Sequence, residues 1–65
     1  MDEHTRFTSR DGVLTFDDKG SFAFDVLRAA SGHVALHFGR DVQNLSLTPA
    51  CAKAVAESIL RAAQQ

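Results

Sequence analysis

From Thr48 to Gln65 the chain runs without a glycine, and its single proline stands at the second position of that stretch. Thr48 can accept a hydrogen bond from the first helical amides, and Pro49 suits the first helical position because its missing N–H would find no partner there. A helix starting at Pro49 and meeting no breaker is therefore expected. At 100° per residue, Cys51, Ala52, Val55, Ala56, Ile59, Ala62 and Ala63 form one broad apolar stripe. Lys53, Glu57, Arg61 and Gln64 fall opposite, with Lys53/Glu57 and Glu57/Arg61 at the spacing of solvent-exposed ion pairs. A stripe this rich in alanine lets the helix approach its partner closely, and bulk must come from elsewhere. The five Phe of the chain, all upstream, supply it.

Upstream the period changes to two. LTF, SFAFDVL and HVALHF alternate large apolar with small or polar residues, as half-buried strands do. Gly12, Gly20, Gly32 and Gly39 punctuate them. A weaker strand fits His4 to Ser9, and Leu45 and Leu47 suggest another after a turn near Gly39-Arg40-Asp41. Asp17-Asp18-Lys19-Gly20 reads as a type I turn closed by a glycine bulge. That register sets Phe16 opposite Phe22 and Leu14 opposite Phe24, all on the helix side. The other side would carry Val13, Thr15, Ala23, Asp25, Leu27, His33, Ala35 and His37. The expected fold is α+β: a single domain over residues 1–65, residues 1–5 a mobile start, with an antiparallel sheet of three to five strands and one C-terminal helix packed on one face.

Composition bounds what such a domain can do. With 45% hydrophobic and 23% charged residues the chain is folded, and at 65 residues its core is small. A net charge of −1 without a basic patch argues against direct nucleic-acid binding. No apolar run is long enough to span a membrane, and the lone Cys51 has no disulfide partner, so a cytosolic setting is expected. His33 and His37 share one side of a strand, but four strand residues span about 13 Å, too far for one metal. Asp17 and Asp18 lack the further oxygen ligands a Ca²⁺ site needs. Cys51 could be activated in a first helical turn, yet it borders the apolar stripe and reads as a packed core residue. No nucleophile elbow, phosphate-cradling loop or paired-cysteine signature occurs. The expectation is a non-enzymatic protein without cofactor or metal.

What remains is surface. Asp2, Glu3, Asp11, Asp17, Asp18, Asp25 and Asp41 outnumber the Lys and Arg residues of the same segment. An acidic display of that kind can compete for a nucleic-acid-binding groove. The sheet face away from the helix, or a free edge strand, offers a second docking surface. Asp11, Asp17, Asp18, Asp25, His33 and His37 are the candidate partner-binding residues. In size and layout, short antiparallel strands followed by the alanine-rich SLTPACAKAVAESILRAA, the chain resembles the small phage and mobile-element inhibitors called anti-CRISPR proteins. That resemblance is of architecture over the whole chain and maps no residue roles. It implies a protein, in the cytosol of a bacterial host, that binds a subunit of a CRISPR surveillance complex and blocks target-DNA recognition. The alternative is an accessory subunit or a self-associating homodimer.

Overall fold

The computed structural model describes residues 4–14 and 22–64. Strand β1 (His4–Thr8) leads through a short 3₁₀ turn, Ser9–Asp11, into β2 (Val13–Leu14). Strands β3 (Ala23–Arg28), β4 (Val34–Phe38) and β5 (Ser46–Leu47) follow, and helix α1 (Pro49–Ala63) closes the described chain. The expected α+β architecture is present, with α1 against a three-stranded antiparallel sheet of order β1-β3-β4. A separate two-stranded sheet pairs β2 with β5.

β3 is the central and most buried strand, with Phe24, Asp25 and Val26 all enclosed, and burial on the α1 side selects its register. Phe24 stands between Phe7 of β1 and Phe38 of β4. The rings stack at 5.4 Å and 5.2 Å between centroids. Phe22 adds a tilted contact to Phe24 at 6.4 Å. With Val13, Val26, Cys51 and Val55 these rings make the core, and Phe24 is 1% exposed.

Two expectations are corrected. Leu14 does not face Phe24: it pairs with Ser46, is 56% exposed, and leaves Val13, assigned to the open face, as the buried member of β2. The cause lies at Gly12, whose φ of +93° turns the chain out of the plane of β1 before β2 begins. The preceding Asp11 and Thr8 lock that turn by exchanging backbone and side-chain hydrogen bonds. The Asp17–Gly20 turn, Thr15 and Phe16 lie outside the described residues.

The helix begins as expected, Thr48 Oγ1 accepting from the Cys51 N–H at 3.2 Å and Pro49 opening the first turn. Its buried line is narrower than the alanine stripe: Cys51, Val55, Ser58 and Ala62. Ala52, Ala56 and Ala63 are exposed, and Ile59 is half-buried. α1 lies over β3, so only residues spaced i, i+4, i+7, i+11 meet a sheet this small. Ser58 fits there because it is small, and its hydroxyl accepts from Arg61 Nη2 at 3.2 Å. At the other end, Arg28 Nη1 donates to the Ala62 carbonyl at 3.1 Å, setting a cation against the helix C-terminus.

Candidate interaction face

Alternation along β3 sends Ala23, Asp25 and Leu27 to the side away from α1, and the pairing lines up their neighbours. Arg6, Asp25 and His37 form one row across the three strands, and His4, Leu27 and Ala35 the next. No described element covers this face. Even so, Asp25 at its centre is only 8% exposed, because the side chains of β1 fold over it.

The cover is ionic. Arg6 donates Nε to Asp25 Oδ1 at 2.8 Å and Nη2 to Oδ2 at 3.1 Å, a two-pronged pair matched to the planar fork of a guanidinium. His4 Nε2 lies 3.0 Å from the same Oδ1. Hydrogen bonding from Arg6, then from His4, holds the Asp25 carboxyl at about 2, against the opposing effect of burial. The same contacts push the Arg6 guanidinium up. Arg6 and His4 remain mostly open to water, their side chains 64% and 57% exposed. The face therefore offers N–H donors around a carboxylate whose charge is already answered.

The remaining sequence candidates are spread out. His37 is exposed beside Asp25 in the row. His33 is also exposed, just before β4, its Nδ1 bonded to Ser31 Oγ at 2.8 Å. Asp11 stands outside the face and accepts from the Thr8 N–H at 2.8 Å, capping the 3₁₀ turn. Asp17 and Asp18 lie outside the described residues. Cys51 is buried, and burial first, then the charge of Asp11, pushes its thiol up, the direction opposite to activation. Among the described residues no cluster of His, Cys, Asp and Glu could hold a metal ion, and no helix is long and apolar enough to cross a membrane.

His4 and Arg6 were not among the sequence candidates. The alternation His4-Thr5-Arg6-Phe7 puts both on one side of a strand, but which residue they oppose follows only once β1 is paired with β3. Comparison of the chain with protein-family models, with curated proteins and with solved structures finds no match.

Proposed function

We propose that this chain is a non-enzymatic protein-binding module that docks a partner protein on the sheet face opposite α1. The observation that supports this reading is the Arg6–Asp25–His4 network: a covered carboxylate that fixes an open guanidinium and imidazole on an uncovered face. Fixing long charged side chains in advance lowers the entropy lost when a partner docks. Arg6, His4 and His37 present donors there, so the fitting partner surface is one rich in carboxylates and carbonyls. An acidic display through Asp25 is not part of this reading, since Arg6 already offsets its charge.

In its finer form the proposal is an anti-CRISPR-type inhibitor that occupies a subunit of a CRISPR surveillance complex and blocks target-DNA recognition. Size and architecture support that form. The experiment is a titration of purified surveillance complexes with the protein while target-DNA binding is followed. Loss of DNA binding at a stoichiometric ratio is expected, relieved by His37→Asp and kept by Lys53→Glu on the outer side of α1. DNA binding that persists at every ratio removes the inhibitor form, and inhibition that survives His37→Asp moves the docking surface off this face.

A further inference from the structure

The edges of the β1-β3-β4 sheet differ in a way that bears on self-association. β1 carries Arg6 at its centre, a charge of the kind that discourages edge-to-edge pairing. β4 reads VALHF, five residues without Lys, Arg, Asp, Glu or Pro, and no described strand pairs with its outer side. Its backbone is aimed outward at definite residues. Ala29 donates to the His33 carbonyl at 2.7 Å, which makes that pair hydrogen-bonded. Alternation then makes Leu27/Ala35 and Asp25/His37 the bonded pairs, so the N–H and C=O of Val34, Leu36 and Phe38 point away from β3. The side chains of the same three residues stand on the α1 side, where α1 leaves Leu36 43% exposed.

We infer that β4 is a homodimer interface, in which the outer edges of two copies pair antiparallel about a two-fold axis through Leu36. In that register Leu36 meets Leu36 of the second copy, and Val34 meets Phe38. Each of these is a position whose polar backbone atoms face outward, so every facing pair exchanges both of its hydrogen bonds. On the α1 side only apolar residues meet. On the opposite side His37 stands against Ala35, and no charge faces its like. The segment is thus complementary to itself, which is what a two-fold interface requires. The product is a continuous sheet of order β1-β3-β4-β4-β3-β1, with both helices on one side. The exposed Leu36 gains a neighbour, and both Arg6–Asp25 rows lie on the other side. This inference does not depend on the identity of any foreign partner.

Sedimentation equilibrium of the purified protein is the test. The expected mass is twice the 7.0 kDa of one chain. Leu36→Lys places two ammonium groups on the axis and removes two apolar contacts. It should raise the dimer dissociation constant on the order of 100-fold, with the far-ultraviolet dichroism of the parent retained. Leu60→Lys, a comparably exposed position on the outer side of α1, should leave the mass unchanged. Independently of how Leu36→Lys folds, Leu36→Cys should form a homodisulfide under mild oxidation far faster than Leu60→Cys, while the buried Cys51 stays reduced. A monomer at millimolar concentration, a dimer indifferent to Leu36→Lys, or equal cross-linking at both positions overturns the inference. A monomer leaves the surveillance-complex titration untouched, and failed inhibition by a dimer leaves the interface standing.

Discussion

Phe24→Ala removes the ring at the centre of the core that the described residues build. Phe24 is 1% exposed and touches Phe7 at 5.4 Å, Phe38 at 5.2 Å and Phe22 at 6.4 Å. Truncating a buried Phe costs about 3–5 kcal/mol, covering lost transfer energy and the cavity left behind. The upper half of that range applies, because the neighbours that could collapse inward are rings held by their own strands. A 65-residue domain has roughly 3–10 kcal/mol of stability in total, at typical values per residue. The variant should therefore lose most of its stability, and α1 should melt with the sheet it rests on. Urea unfolding followed by backbone dichroism measures this, since the chain has neither Trp nor Tyr. Phe38→Ala, on the half-buried edge strand, should cost distinctly less. A Phe24→Ala midpoint within about 0.5 kcal/mol of the parent, or a larger loss for Phe38→Ala, would refute the central placement of β3.

Gly12→Ala should destabilise by about 2–3 kcal/mol, adding left-handed backbone strain to a weakened helix cap. A Cβ at that site would lie 2.5 Å from Thr48 Oγ1, the atom that caps α1. Thr48→Ala alone should cost about 1 kcal/mol, and the double variant less than the sum, because the clash goes with the hydroxyl; strict additivity in urea melts would refute the contact. Asp25 is held at about 2 against an ordinary 3.8, among Arg6, His4 and His37, so its contribution to stability is complete above 3.8 and is lost as the pH falls toward 2. Asp25→Asn should flatten that acid limb of the stability curve; a limb identical to the parent's would remove Asp25 as its source. Cys51 should react with a thiol reagent only at the rate of unfolding, and rapid labelling of the native protein would contradict its burial.

Helix α1 was legible because its signals are local: Thr48, Pro49 and an unbroken run need no knowledge of what lies across the fold. Its buried line was not, since Ala52 and Ala56 are as apolar as Ala62. Only the width of the opposing sheet decides that Ser58 goes in and Ala56 stays out. The strand positions were legible from Phe and Val alternation, but pairing is a long-range choice. Phe24 has two good aromatic partners, Phe7 upstream and Phe38 downstream, and the hairpin reading offered Leu14 instead. Aromatic stacking on both sides of β3 outweighs one aliphatic contact. Gly12 then has the freedom to send Leu14 elsewhere.

The charges of the open face count differently along the sequence and in space. Summed along the sequence, Asp25 is one of several carboxylates in an acidic half-chain. Summed in space, it is the one residue whose two oxygens are taken up by Arg6 and His4. A solvent-exposed ion pair contributes little to folding, and a fully enclosed one is costly to assemble. This pair lies between those limits, with the carboxylate covered and the guanidinium open. Folding alone does not require that arrangement, since a Thr or Val at position 25 would satisfy the strand. What the ion pair adds is a fixed direction for Arg6 on a face that α1 leaves uncovered. Pairing through β4 would set two such rows side by side, so the dimer edge and the binding face, argued from separate observations, would enlarge one surface.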